Sequence, residues 1–506
     1  MDNRIIIFNP EYKLKNDNTR IILYSRAKTS SQTTPQWKSY IHPVQAMIFS
    51  FFTTERSFDE TLNLLQSFLN KDRDNVLNII QPYIENERII ITQYKDVQIE
   101  FPRNILIDKQ KNISDTALTP IKPEELFCNS IDVKSLRDNV APHTLTLMLT
   151  NRCITHCKYC YADTYHKVKT ELTIEKYEKV IHNALEKKVA NINILGGEVF
   201  LKRDWHILLK LLVSNGYEPD FISTKVPITE DIAHKLQNTG YSNVIQLSID
   251  SFDFETLHEL IGVNNTYTDK LKAGMKILEE FGFTVQINTV LTTLNMNEEQ
   301  IKEMAHFFDS CNNIEYWELR TPIDSLYTDK TAYQKLKPSK ENIENFISFI
   351  KNEIEPDCHI KIIINSKSLK DYSYSKNDEE TSFKENVCSA LWDHMFILPD
   401  GKVTICEQLY WIPQFIIGDV NHNSIEEIWN SPKALQLANL CQSEIQENSK
   451  CKECTLFDKC FTKHKRCWAN IIKAYGLENW DYPDPRCEQA PNIHDITTIN
   501  SKVALL

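Results

Sequence analysis

Residues Thr150 to Tyr161 read TNRCITHCKYCY and place Cys153, Cys157 and Cys160 in a C-x3-C-x2-C pattern. Three thiols this close together suggest a shared metal. A single zinc ion usually takes four ligands from paired C-x2-C or Cys/His units, and a lone triplet supplies neither. An iron–sulfur cube takes thiolates, and three of them fix three irons and leave the fourth open. Zinc, or three buried thiols without metal, are the competing readings. The rest of the chain weighs between them.

On both sides of the triplet, strands alternate with helices, the pattern of a parallel α/β architecture. A strand over His143 to Thr150 delivers the cysteine loop. A helix opening at Leu172-Thr173 buries Ile174, Tyr177, Ile181 and Leu185. Further strands are predicted at Asn191 to Leu195, Phe221 to Thr224, Val244 to Ile249, Thr284 to Leu291 and Ile314 to Leu319. Six β/α units fit a partial (β/α)6 barrel, where ligands sit at the carboxyl ends of the strands. The candidate residues fall there. Gly196, Gly197 and Glu198 end the second strand, and the two glycines allow a close backbone approach. Ser223 and Thr224 end the third, Ser248 and Asp250 the fourth, Asn288 and Arg320 the fifth and sixth. Arg320 has the fork for a ligand carboxylate, with a structural ion pair as the alternative. Asp250 reads equally as a helix cap.

A second group of cysteines fills the C-terminal part: Cys388-x12-Gly401-x4-Cys406, then Cys451-x2-Cys454-x5-Cys460, then Cys467 and Cys487. Taken alone, Cys451 to Cys467 would also suit a zinc knuckle. Cys128, Cys311, Cys358 and Cys441 stand outside both groups.

The first hundred residues have a different pattern. Arg4 to Phe8 and Arg20 to Ser25 are β-prone, separated by the turn-rich EYKLKNDNT. Helices are expected at Pro43 to Phe52, after the capping box Ser57-Phe58-Asp59-Glu60, and near Asp72 to Ile84. Glu87 to Thr92 closes the unit as a strand, giving a small winged-helix-like module. Its third helix carries one Arg, Arg73, against two acidic residues, Asp72 and Asp74, a poor surface for phosphate. The Pro-punctuated stretch from 96 to 141 reads as a linker.

The 506 residues suggest roughly three domains. A net charge of −12 argues against nucleic acid or an anionic membrane as partner. No apolar run reaches the roughly 18 residues a membrane helix needs, and no signal peptide opens the chain. With that start, 14 cysteines point to metal in a reducing cytoplasm rather than to disulfides.

The CxxxCxxC triplet, with a GGE about 35 residues later, resembles the radical S-adenosylmethionine (SAM) enzymes. That resemblance implies a [4Fe–4S] cluster on Cys153, Cys157 and Cys160 whose open iron chelates SAM. It places Tyr159 beside adenine, Glu198 on the ammonium of SAM, Ser223 and Thr224 near the ribose, and Ser248, Asp250 and Arg320 as further contacts. Val199 stands where the family usually has Pro. The second cysteine group resembles the SPASM domain, which holds two auxiliary [4Fe–4S] clusters. Carried over, Cys451, Cys454, Cys460 and Cys487 ligate the outer one, and Cys388, Cys406 and Cys467 the inner one. Cys441, Cys358, His464 or an open iron completes the inner set. The spacing before Cys467 is six residues where the family has three.

The N-terminal module resembles the recognition element of enzymes that modify ribosomally made peptides, in which a leader peptide joins the small sheet as an added strand. Together the three resemblances divide the chain into a recognition element at 1–95, a linker at 96–141, a radical SAM core at 142–335, a bridge at 336–386, a SPASM domain at 387–490 and a tail at 491–506. They imply a peptide maturase whose partners are a precursor peptide and an electron donor such as flavodoxin or ferredoxin. Thioether crosslinking leads. Carbon–carbon crosslinking and formylglycine formation on a sulfatase follow.

Overall fold

The computed structural model describes residues 4–25, 36–111, 118–163, 166, 168–365, 388–462 and 466–491. His464, residues 366–387 of the bridge and nearly all of the tail lie outside them. The chain forms two compact units, Met1–Ala141 and Pro142–Leu506.

The first unit runs β1 (Ile6–Phe8), β2 (Tyr12–Asn16), β3 (Ile21–Ser25), β4 (Lys38–Ile41), α1 (Pro43–Ser50), α2 (Phe58–Leu69), α3 (Arg73–Ile80), β5 (Ile90–Tyr94), β6 (Val97–Phe101) and β7 (Leu106–Asp108). The expected capping box starts α2: the Ser57 side chain accepts from Glu60 N, and Glu60 reaches back to Ser57 N. Two expectations change here. Most of EYKLKNDNT is strand β2, paired antiparallel with β3, because Tyr12 and Leu14 alternate into the core. Only Asp17 to Thr19 remains as the turn.

The stretch 96–141 belongs to this unit and is not a free linker. β6 forms a hairpin with β5, and β7 pairs with β1. A buried polar network then straps down the rest. Asp17 and Arg20 pair at 3.0 Å, Asp17 Oδ1 accepts from the backbone of Asn139 and Val140, and Asp138 accepts from Tyr40 Oη and pairs with Lys38. Buried charges persist only when paired in this way.

The second unit opens with β8 (Thr144–Met148), α4 (Ile174–Glu186), β9 (Asn191–Leu195), α5 (Trp205–Ser214), β10 (Phe221–Thr224), α6 (Glu230–Gln237), β11 (Val244–Ser248), α7 (Phe254–Ile261), α8 (Tyr267–Glu280), β12 (Val285–Val290), α9 (Glu298–Asp309) and β13 (Ile314–Arg320). It continues with α10 (Lys330–Leu336), α11 (Lys340–Phe349), β14 (Lys361–Ile364), β15 (His394–Ile397), β16 (Lys402–Thr404), β17 (Ile416–Asp419), α12 (Ile425–Trp429), α13 (Pro432–Ala438), α14 (Phe457–Thr462) and α15 (Trp468–Tyr475). Strands β10 to β14 form one parallel sheet in chain order, and β9, β8 and β15 run parallel in a second. The sheets meet where Asn193 on β9 and Asp220 before β10 exchange two hydrogen bonds of 3.0 Å.

The six expected strands are β8 to β13, and they form the partial barrel. Sequence reasoning missed its two extensions. β14, from the bridge, adds a strand beyond β13. β15, from the cysteine-rich part, pairs with β8 and carries the antiparallel β16 and β17 behind it. Gly401 turns β15 into β16 at φ +95°, and a Cβ there would meet the Asn421 amide at 2.3 Å.

Candidate functional site

Strand β8 ends in the cysteine loop, which two neighbours hold. On one side His156 N and Lys158 N donate to the carbonyls of Ile261 and Leu260 at the end of α7. On the other, Gly197 N donates to Thr150 O and Glu198 N to Arg152 O, at 2.7 and 2.8 Å. A Cβ on Gly197 would lie 2.2 Å from Arg152 O, and one on Gly196 2.9 Å from Thr150 O. The glycines of GGE therefore admit the backbone of the cysteine loop itself. Val199, in the place of the usual Pro, is buried and opens a short 3₁₀ turn.

Inside the loop, Thr155 Oγ1 lies 3.2 Å from Cys153 Sγ and 3.3 Å from Cys157 Sγ. Burial pushes the Cys157 thiol up to about 12 and Cys160 up to about 11. The largest opposing influence on Cys157 is the charge of Lys225. Thiols so raised stay protonated until a cation draws the proton off, as metal binding does.

Lys225 is the residue that sequence reasoning missed. It follows Thr224 directly, its Nζ is 2.7 Å from Asp250 Oδ2, and it also donates to Ser248 O at 2.9 Å. Burial works to lower its pKa, but Asp250, Cys157 and Tyr267 outweigh burial and raise it. Asp250 is no helix cap; Asp253 caps α7. Asp250 instead accepts from the Tyr159 hydroxyl and from Val290 N, so Tyr159 is tied to the end of β11. The Glu198 carboxylate is engaged as well, accepting from Thr224 Oγ1 at 2.7 Å and Lys225 N at 2.9 Å. Burial raises its pKa against those bonds. Ser223 accepts from Gln246, and Arg320 pairs with Glu318 two residues back on β13. Asn288 is buried in register with Ser248 and Glu318.

The C-terminal cysteines of both expected sets are half-buried, and burial raises the pKa of Cys388, Cys406, Cys451, Cys460, Cys467 and Cys487. Neighbouring thiolates add to the rise, Cys467 at Cys388 and Cys406, and Cys451 at Cys460 and Cys487. Asp484 spans both sets: its carboxylate accepts from Cys467 N at 2.9 Å and its carbonyl from Cys487 N at 2.7 Å. Gln442 holds the other end, donating to the carbonyls of Cys451 and Cys454. Gln408 N lies 3.4 Å from Cys406 Sγ, and buried Lys473 donates to the Gln408 side chain.

Cys441 is exposed beside Asn439 O, and Cys358 lies 3.7 Å from Asp309 at the end of α9. Among the described residues, no three His, Cys, Asp or Glu side chains gather as they would around one ion. A four-iron cube binds each thiolate on its own iron, so its ligands stand further apart than those around a single ion.

Ser325 Oγ donates to the Tyr161 carbonyl at 3.2 Å and Tyr327 Oη to Gln408 O at 3.1 Å, which joins the end of the cysteine loop to the segment after Cys406. Tyr327 and Tyr410 are buried and in edge contact at 5.4 Å, whereas Tyr161 is 37% exposed.

Residues 147–308 match the radical SAM superfamily, and residues 388–455 match the SPASM iron–sulfur cluster-binding domain. The PqqA peptide cyclase of Granulibacter bethesdensis is 25% identical over 365 residues, 70% of this chain and 89% of that protein. The sporulation killing factor maturation protein SkfB of Bacillus subtilis is 24% identical over 342 residues, 68% and 77% of the two chains. Streptococcus suis SuiB bound to S-adenosylmethionine shares the fold at a TM-score of 0.61 and 16% identity, over 95% of this chain and all of that one. SuiB is also known bound to its precursor peptide SuiA, with a TM-score of 0.59 at the same identity, over 96% of this chain and all of that one.

Proposed function

The chain is a radical SAM enzyme with a SPASM iron–sulfur domain, of the peptide-modifying kind, and on that premise we propose that it closes a thioether crosslink in a ribosomally made precursor peptide. The observation that carries the thioether is the inner cysteine set. Cys388, Cys406 and Cys467 are the thiols it offers, Cys441 and Cys358 hydrogen-bond elsewhere, and His464 lies outside the described residues. Three thiolates leave a four-iron cube short of one ligand, and a cysteine of the peptide has the chemistry to fill that place.

Cys153, Cys157 and Cys160 would hold the SAM-binding cluster, and the two C-terminal sets the auxiliary clusters. When bound, the cluster and SAM supply a 5′-deoxyadenosyl radical able to take hydrogen from an unactivated carbon, and the auxiliary clusters accept the surplus electron. The protein's part is positioning. Glu198, Lys225 and Asp250 fix the loop and Tyr159 against the strand ends. Ser223, Thr224, Ser248 and Arg320 stand at the same ends, where SAM would lie. Tyr327 and Tyr410, both buried and in edge contact where the Cys406 segment is joined to the cysteine loop, would help keep water from a carbon radical.

The N-terminal unit would clamp the leader and raise the local concentration of the core peptide. A flavodoxin or ferredoxin would supply the electron, and a reducing cytoplasm is the setting that suits exposed thiols. Among the described residues, no helix is long and apolar enough to cross a membrane.

The test is mass spectrometry of short cysteine-containing candidate precursor peptides after incubation with reduced enzyme and SAM. A loss of two hydrogens together with one alkylatable thiol is expected. The same mass loss with every thiol still alkylatable would replace the thioether by a carbon–carbon bond.

A further inference from the structure

Arg466, directly before Cys467, is 6% exposed. Its Nη2 donates to the carbonyls of Asp481 and Tyr482, both at 2.8 Å. Its Nε and Nη1 are buried too and have no acceptor among the described residues. No carboxylate of those residues pairs with it. Buried Arg486 has the usual arrangement by comparison, with its fork on Asp484 at 2.6 and 2.7 Å. A buried guanidinium with two idle nitrogens and no counter-charge is costly. Its site must supply both acceptors and negative charge.

The outer cysteine set lies on two sides of that guanidinium. On one side its central carbon stands 6.0 Å over the Phe457 ring, and Phe457 belongs to the small apolar core against which Cys451 and Cys454 pack. On the other, the Asp481 carbonyl that holds Nη2 also accepts from Ser449 Oγ at 3.2 Å, and Ser449 Oγ accepts from Cys451 N at 3.3 Å. Arg466 and Cys451 therefore share two neighbours, an aromatic ring and a carbonyl. Burial raises the Cys451 and Cys460 thiols, and the charge of Arg466 is the largest influence opposing it at both.

We infer that Arg466 is the counter-charge of the outer auxiliary cluster, its idle Nε–H and Nη1–H donating to the sulfurs there and holding the reduction potential up. The inference rests on reading Cys451, Cys454, Cys460 and Cys487 as the ligands of one cluster. Four thiolates leave a four-iron cube with net negative charge, and reduction adds one more. Hydrogen bonds to the sulfurs and a cation close by both favour that extra electron. Arginine keeps its proton throughout the working range of pH, so the couple takes up one electron and no proton. Arg466 is thus a tuning residue, and it acts through the sulfurs without touching substrate.

The experiment is an anaerobic redox titration of the reconstituted full chain followed by electron paramagnetic resonance. The outer cluster is the signal that Cys454→Ala removes. In Arg466→Gln its ratio of reduced to oxidised form at fixed potential is expected to fall about tenfold, about 59 mV for one electron. Arg466→Lys keeps the charge and is expected to shift it less. The other midpoints and the iron content stay unchanged. An unmoved midpoint in Arg466→Gln with full iron overturns the inference. If both variants lose the outer cluster, wild type grown with nitrogen-15 arginine decides: that signal is expected to carry a nitrogen-15 coupling, and its absence overturns the inference. Wild-type signals that all survive Cys454→Ala overturn the ligand reading instead.

Discussion

Lys225 Nζ lies 2.7 Å from Asp250 Oδ2, and both groups are buried at the carboxyl ends of neighbouring parallel strands. The pair joins β10 to β11 and, through the Tyr159 hydroxyl, to the cysteine loop. Lys225→Met removes one partner and leaves Asp250 buried and charged, which costs about 3–5 kcal/mol. Combining it with Asp250→Asn is expected to recover part of that loss. Urea unfolding of the second unit measures both. A single-variant loss below about 1 kcal/mol would show that the pair is not what holds the strand ends.

The two glycines of GGE are expected to differ. Gly197→Ala pushes a methyl to 2.2 Å from a backbone oxygen that cannot move without the loop, whereas Gly196→Ala meets Thr150 O at 2.9 Å. Iron bound per chain after reconstitution should fall further in Gly197→Ala than in Gly196→Ala. Equal, full loading in both would mean that the loop tolerates displacement.

Removing the thiols separates the cysteine sets by function. Cys157→Ala is expected to abolish 5′-deoxyadenosine formation. Cys454→Ala should leave uncoupled SAM cleavage in place while the peptide product disappears. Cys441→Ser should change neither, because its thiol lies outside both sets. A loss of iron in Cys441→Ser would make it the missing inner ligand.

The leader-binding unit should be expressed as residues 1–141. A fragment ending at residue 95 lacks β6 and β7, the partners of β5 and β1, and leaves Asp17 and Arg20 without the strap around Asp138. Circular dichroism on heating should show cooperative melting for 1–141 and none for 1–95. A cooperative 1–95 fragment would return the segment after it to the status of a linker. Leader affinity then tests recognition itself, since deleting the whole unit should weaken binding of the full enzyme to its peptide.

The barrel strands and the presence of the two cysteine-rich motifs were legible because their signals are local: alternation of strands and helices, C-x3-C-x2-C, and the glycine at the β15–β16 turn. What stayed hidden depends on distant partners. Residues 11–19 carry turn formers at one end, and nothing local says that Tyr12 and Leu14 face a core supplied by α1 and β6. Lys225 looked like any surface lysine until the fold brought Asp250 within reach. β14 and β15 are four residues each, too short for periodicity to mark, and they acquire their role only from the strands beside them. Asp484 escaped notice because acidic residues near strand and loop ends are common.

The pairing of β15 with β8 has a consequence for how the chain is made. Thr146 and His394 meet at 2.9 Å across 248 positions of sequence, so the first barrel strand must wait for that much more polypeptide to leave the ribosome before its edge is covered. Until then β8 exposes an open hydrogen-bonding edge, a hazard for aggregation during synthesis. A chain stopped after β14 would therefore keep an exposed sheet edge indefinitely.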